Sequence, residues 1–398
     1  MRPAAWGALF VMIFNERRMR LHMNRALFYI YSISGGAGKN FFFIANLLAE
    51  NGWKVDLYCS TGKEHMLNRL NKSIDLKLLK FKSLTKPLGA IFTVVCLIKA
   101  LISKRYECAF STGYSNIALL ILAAFFSRFK GRLILRGALS IKAYKTIRPL
   151  KFFFVFNIYK LCRWCFDVCL INLNMDMHEE AIRYNFGGKN VTKFVVGNPV
   201  DVQKIIKKSK ERSDFDLISK KDKLKLFSVG RLVKEKNFFR VCEVVESLSS
   251  IYDCILILFG EGPLHQDLKQ YINERGLEKR IILAGYQENP YTIISNCDIM
   301  LSTSTAEGMP NAILESIALG KPIVALDCET GPREILERYN AGLLVKKDTV
   351  SAYIEALHIL INKKQAVNKV TIEKLSNDLS MESIGFAYLK IFNGTGTY

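Results

Sequence analysis

The stretch STAEGMPNAILESIALGKPIVALD carries two carboxylates eight positions apart, Glu307 and Glu315. Pro310 suits the first position of a helix, Gly320 stops one, and Pro322 opens the next extended run. Glu307 therefore falls in the turn before an expected helix, and Glu315 about a turn and a half inside it. A carboxylate only accepts hydrogen bonds, which suits the paired hydroxyls of a ribose or a hexose. The free N–H groups of a helix start favour an anion beside them. Upstream, FSVGRLVKEKNF places Arg231 just after an expected strand and Lys236 five residues on. A planar guanidinium fork and a compact ammonium at such an edge suit a diphosphate. Gly260, Gly262 and Gly285 close two more strands, where backbone can approach a ligand, and Tyr286 is placed to border a flat base. Together these residues fit a grip on a sugar nucleotide, and each taken singly also fits a capped, solvated helix or a pair of surface cations.

Such residues need strand ends to hold them. From Arg25 the sequence reads as an apolar strand, a glycine-rich turn (SGGAGKN, Ser34–Asn40), an amphipathic helix and a second strand, a βαβ opening with parallel strands. The turn has neither the dinucleotide glycine spacing with its following acid nor the Lys-Ser/Thr ending of a P-loop. Further strands are expected at YECAFST, RLILRG and VCLINLN. After the charged stretch KIIKKSKERSDFDLISKKDKLK, read as a solvated connection, five more follow: LKLFSVG, CILILFG, RIILAG, DIMLSTS and PIVALD. Each ends in small or polar residues and alternates with helical segments, so the fold class is α/β, two doubly wound parallel sheets facing across a cleft. CETGPREIL repeats the turn-to-helix device with Glu334 in the first turn, and SMESIGFAYLKIFN has the periodicity of a closing helix.

The charge is large and uneven. Of 57 Lys and Arg, 30 precede residue 200, against only 10 of 36 Asp and Glu. Between Ser140 and Phe166 the bases Lys142, Lys145, Arg148, Lys151, Lys160 and Arg163 alternate with Phe, Tyr and Trp and meet no acid. That pattern fits a segment resting on anionic lipid. No apolar run reaches the ~18–20 residues of a spanning helix; LGAIFTVVCLI and NIALLILAAFF read as buried core, and the chain as peripheral to the inner face of the plasma membrane. Cys162, Cys165 and Cys169 share a helix face but lack a fourth ligand at metal spacing, so no metal site is expected, and the ten cysteines fit a reduced, cytoplasmic protein. No recognised nucleic-acid module accompanies the basic half.

The segments GRLVKEKN, NPVD (Asn198–Asp201), GEGP, AGYQENPY, EGMPNAILESIALGKPIVA and GPREIL occur in an order that resembles the retaining glycosyltransferases of family 4. These are GT-B enzymes with an E-x(7)-E signature, and the resemblance covers roughly residues 195–345. It implies that Glu315 binds the ribose, that Glu307 contacts the donor hexose, and that Arg231 and Lys236 hold the leaving diphosphate. It implies that backbone at Met309, Pro310 and Asn311 closes on sugar and phosphates, that Gly36 faces the diphosphate from the first domain, and that no metal or other cofactor is needed. Many relatives carry a His near the strand RLILRG; here Arg136 stands there and is expected as an acceptor or sugar contact.

The domains then read as a leader or misassigned start (1–23), an acceptor-binding domain (24–195), a nucleotide-sugar domain (196–375) and a helix crossing back (376–398). The expected activity is retaining transfer of a hexose or N-acetylhexosamine from a UDP-sugar to a lipid-linked or growing saccharide acceptor in cell-surface polysaccharide (lipopolysaccharide or capsule) synthesis. GDP-mannose or a soluble acceptor is the alternative, and a non-catalytic anion- or nucleic-acid-binding protein the remote one.

Overall fold

The computed structural model describes residues 24–33, 35–61, 67–79, 87–186, 190–212, 223–328, 330–363 and 366–395. The expectations for residues 1–23 and for Ser34 lie outside the described residues. The first half runs β1 (Arg25–Ser32), α1 (Gly35–Glu50), β2 (Lys54–Thr61), β3 (Asp75–Leu78), α2 (Pro87–Ser103), β4 (Cys108–Thr112), α3 (Tyr114–Phe126), β5 (Arg132–Arg136), α4 (Ile141–Ile147), α5 (Pro149–Cys165), β6 (Val168–Asn172), α6 (Met175–Arg183) and β7 (Val191–Val195). Its seven strands pair in parallel in the order β3-β2-β1-β4-β5-β6-β7.

After α7 (Val202–Ser209) come β8 (Leu224–Val229), α8 (Phe238–Leu248), β9 (Cys254–Phe259), α9 (His265–Glu274), β10 (Ile281–Gly285), α10 (Tyr291–Ile294), β11 (Ile299–Ser302), α11 (Asn311–Ala318), β12 (Ile323–Leu326), α12 (Pro332–Tyr339) and β13 (Gly342–Val345). The chain closes with α13 (Val350–Lys363), α14 (Lys369–Asp378) and α15 (Met381–Asn393). The second sheet is β10-β9-β8-β11-β12-β13, also parallel.

In each sheet the order reverses beside one strand, between β1 and β4 and between β8 and β11. Ligands of open parallel sheets bind at the carboxyl ends of strands at that reversal. The glycine-rich turn follows β1, GRLVKEKN follows β8 and AEGMPN follows β11, so the three motifs occupy the two reversal points.

Strand residues alternate between two cores, as the period of two requires. Ala26, Phe28 and Ile30 of β1 face the core shared with α1 and α15, while Leu27 and Tyr29 face the core under α2, α3 and α5. Helix α15 returns to the first sheet, where Phe392 packs against Phe28, Phe110 and Trp53 at 5.7–6.0 Å between ring centres.

Three details differ from expectation. Part of the charged stretch after Asp201 is not loop: the Asp201 side chain caps Lys204 N at 3.0 Å, and Val202 and Ile205 bury one face of α7. The basic-aromatic segment is broken at Arg148 into two helices, because Pro149 begins α5 as its first residue. The shorter piece, α4, is pinned inward, since the buried Glu180 accepts from Ile141 N at 2.7 Å and from Ser140 Oγ at 3.1 Å. The apolar runs in α2 and α3 are only half core. Leu97 and Leu101 are buried, but Leu88, Ile91, Ile102, Phe125 and Phe126 are exposed. A helix apolar all round covers the sheet with one stripe and leaves the other outside.

Candidate active site

The turn after β8 is a single 3-10 turn, Lys234–Lys236, ended by Asn237 in a left-handed conformation at φ 49°. Asn tolerates that conformation better than other side-chain-bearing residues. The turn is laced to the loop after β11. Thr305 N donates to Glu235 O at 2.9 Å, and Thr303 Oγ1 to Asn237 O at 2.8 Å. This lacing brings Lys236 Nζ onto Glu307 Oε1 as an ion pair. Glu307 is 8% exposed, and its own carbonyl accepts from Thr330 Oγ1 at 2.7 Å. The ammonium offsets the cost of burying that carboxylate. Arg231, between β8 and that turn, is exposed and forms no ion pair among the described residues.

Pro310 caps α11 from outside, one position earlier than expected, and Asn311 is the first helical residue. The preceding backbone lies directly on the first domain. A Cβ at Gly308 would stand 2.6 Å from Ala138 O, so only a glycine fits there without a shift. Asn174 Nδ2 donates to Gly308 O at 2.6 Å, and Asn198 Nδ2 donates to Met309 O at 2.9 Å and to Asn311 Oδ1 at 2.6 Å. Gly36, in the first turn of α1, is the close neighbour of Asn311: an added Cβ would lie 2.8 Å from Asn311 Nδ2. The starts of α1 and α11, each with unpaired N–H groups and a partial positive charge, thus meet across the cleft.

Glu315 lies one turn deeper and also faces the first domain, with Lys39 Nζ 3.6 Å away. Tyr291 sits against it. Burial, then the Glu315 carboxylate that accepts its hydrogen bond, push the Tyr291 phenol well above its ordinary range. Tyr286 is half exposed beyond β10, the edge strand, with β9 and β8 between it and β11. Of the aromatic pair, Tyr291 is therefore the one placed on Glu315.

Arg136 is a correction. It is 2% exposed, and its guanidinium is spent inside the protein: Nε donates to Tyr388 OH at 2.9 Å, Nη1 to Thr112 Oγ1 at 3.4 Å, and Nη2 to Asn198 Oδ1. A side chain so enclosed is not a direct contact for an acceptor or a sugar. Three cleft residues escaped sequence reasoning: Lys39, Asn174 and Thr330. Lys39 stands in the quoted glycine-rich turn, yet nothing local to it points to Glu315; Asn174 and Thr330 carry no spacing signal.

Two parallel α/β sheets facing across a cleft, joined by one crossing and a returning C-terminal helix, make this a GT-B fold. The solved structure of HepE from Anabaena in complex with UDP-glucose superposes with a TM-score of 0.72 over 93% of this chain and 99% of that one, at 16% identity. Residues 209–375 match the family described as Glycosyl transferases group 1, and the chain carries a domain of that family. A Campylobacter jejuni N-acetylgalactosamine-N,N'-diacetylbacillosaminyl-diphospho-undecaprenol 4-alpha-N-acetylgalactosaminyltransferase is 32% identical over 195 residues, 49% of this chain and 51% of that protein. The match therefore spans only half of that relative. The amylovoran biosynthesis glycosyltransferase AmsD of Erwinia amylovora aligns over 84% of this chain and 88% of its own length, at 24% identity.

Proposed function

We propose that this chain is a retaining glycosyltransferase that moves a hexose or N-acetylhexosamine from a UDP-sugar to a lipid-linked or growing saccharide acceptor. The observation that carries the reading is the convergence of Glu307 with Lys236, and of Glu315, at the point where the starts of α1 and α11 meet. Glu315 takes the ribose hydroxyls once Lys39 yields, and Glu307 takes hydroxyls of the donor hexose. Arg231, Lys236 and the two helix starts neutralise the diphosphate as it leaves, so no cofactor enters the proposal. The departing phosphate oxygen accepts the acceptor's proton on the same face, which retains the anomeric configuration.

The UDP-glucose complex of HepE supports the donor class, and the undecaprenol-linked substrate named for the Campylobacter jejuni relative supports a lipid-linked acceptor. Among the described residues no helix is long and apolar enough to cross a membrane. The acceptor is therefore proposed to be met at an anionic membrane surface by the first domain. Purified protein given a panel of UDP- and GDP-sugars is expected to hydrolyse or saturably bind a UDP-sugar. Preference for GDP-mannose would move the donor assignment, and binding of no sugar nucleotide would overturn the proposal.

A further inference from the structure

Arg136 is the bulkiest of the fully buried side chains, and its always-charged guanidinium meets no carboxylate among the described residues. Its acceptors are neutral oxygens of Tyr388, Thr112 and Asn198, and burial holds the Tyr388 phenol above its ordinary range, so that oxygen is no counter-ion. Leaving a cation in a protein interior without an acid partner is costly, which asks what the charge achieves there.

Hydrogen-bond polarity answers. Guanidinium has donors and no acceptor, so the Asn198 atom facing it must be the amide oxygen. The Asn198 NH2 then faces the opposite way, and it does, toward Met309 O and one atom of the Asn311 amide. The Asn311 atom that accepts from an NH2 must in turn be its oxygen. The Asn311 NH2 is consequently directed to Gly36, and no described residue accepts from it. Both amide orientations thus follow from the fixed polarity of one buried charge. Gly36 leaves the end of the series uncovered, because any Cβ there would press on Asn311 Nδ2.

We propose that Arg136 is a positioning residue which, through Asn198, holds the Asn311 amide so that its NH2 is presented, between the starts of α1 and α11, to an oxygen of the donor's diphosphate. This rests on the nucleotide-sugar reading above and adds to it a side-chain contact, Asn311, and the reason for the buried cation. The test compares UDP with uridine, which lacks the diphosphate, by titration calorimetry and ligand-observed NMR. In Asn311→Asp an acceptor replaces the NH2, and in Arg136→Met the Asn198 amide loses its orientation. UDP affinity is expected to fall by about tenfold or more in both, the size of one charge-assisted hydrogen bond. Uridine affinity is expected to stay within about twofold, since the change is confined to the diphosphate contact. Arg136→Lys, still a donor-only cation, should recover part of the UDP loss. Asn311→Asp sits at the cleft and keeps the test open should Arg136→Met fold poorly. Unchanged UDP affinity in Asn311→Asp, or equal losses of UDP and uridine, would overturn the relay while leaving the donor reading standing. A wild-type chain that binds uridine and UDP alike, or no nucleotide, would remove the donor reading itself and the relay with it.

Discussion

Glu307 and Glu315 face different neighbours, and that difference separates what their loss should do. Glu315 is reached from the first domain by the half-exposed Lys39, so its carboxylate is available to exchange one polar partner for ribose hydroxyls. Glu315→Ala is expected to weaken nucleotide binding by roughly ten- to a hundredfold, the range for lost hydrogen bonds to a charged group, with a smaller effect on kcat. Glu307 is held deeper by Lys236 and by the loop laced beneath it. Glu307→Ala should lower kcat by about a hundredfold or more, because under the proposed function it removes both a contact to the donor sugar and the ion-pair partner that holds Lys236 toward the diphosphate. Steady-state kinetics with UDP affinity checks the split; equal losses that track a fallen melting temperature would make both residues structural. The positions of Glu307 and Lys236 in turns, and of Glu315 inside the helix that follows, were legible because Gly, Pro and apolar runs mark those boundaries in the sequence. The Arg136–Asn198–Asn311 series was not, because hydrogen-bond polarity operates between residues far apart in the chain. Sequence could offer Arg136 only as a strand-end cation, and the opposite conclusion, a wholly enclosed one, needs the packing of α15 over it.

At the scale of elements, the loop before α11 works by being fastened to two domains at once. Gly308 touches Ala138 O with no room for a methyl group, so Gly308→Ala must push the loop off the first domain or the domains apart. The overpacking is expected to cost about 1–3 kcal/mol of stability, and the donor KM should rise, as Met309 and Asn311 leave their place under Asn198. Wild-type kcat and KM in this variant would show that turnover does not need the loop seated there. A second join is made by the first turn of α12, where Glu334 accepts from Met175 N, at the start of α6, at 2.9 Å. Burial raises the Glu334 carboxyl above its ordinary value and outweighs the backbone hydrogen bonds from Met175 and Asp176. A carboxyl whose folded pKa is raised favours the folded state only while protonated. Its contribution is therefore lost as pH climbs from about 4.5, the unfolded value, through the raised folded one, and is flat above. Glu334→Gln keeps an acceptor oxygen and drops the charge. It should be at least as stable as wild type at pH 7 and lose that part of the pH slope, as read by melting temperature from pH 4 to 7. A large loss of stability at pH 7 would mean that the charge itself secures the join. The parallel α/β class was accessible from the sequence, since most of the strands are short apolar runs ending in small or polar residues; the strand order, and the strands β3, β7 and β13, were not, because pairing is decided between segments far apart in the chain. Whether α2 and α3 were core was not, because hydropathy counts apolar residues without saying which way they face.

For the whole molecule, what distinguishes the first domain is its outer face. Helices α2 and α5 flank α3 over a single core, and the three contain no Asp or Glu. Along α5, Leu150, Phe153, Phe154 and Trp164 follow one face at 80%, 66%, 68% and 76% exposure, bordered by the exposed Lys151 and Lys160. Leu88, Ile91 and Ile102 do the same on α2, beside the exposed Lys99. In a parallel α/β domain the chain leaves each strand at its carboxyl edge, so the helical connections after β3 and β5, to which α2 and α5 belong, set out from the cleft side. A bilayer lying along this face would bring the lipid end of an acceptor to the mouth of the site. Each large apolar side chain taken out of water contributes about 1.5–3 kcal/mol, and each nearby base about 1 kcal/mol on an anionic surface. Replacing Phe153, Phe154 and Trp164 together by Ser should therefore reduce partitioning onto anionic vesicles by well over a hundredfold, taking about 1.5 kcal/mol per side chain as the lower bound. Lys151→Glu with Lys160→Glu should weaken the preference for anionic over neutral lipid and its sensitivity to salt. Because these side chains point away from the sheet, hydrolysis of the free donor should persist in every variant, while transfer to a membrane-embedded acceptor falls with partitioning. Vesicle flotation beside a donor-hydrolysis assay reads both. Partitioning that is unaffected by lipid charge and by the triple substitution would detach the chain from the membrane, and self-association that the triple substitution abolishes would give the face to a second copy instead.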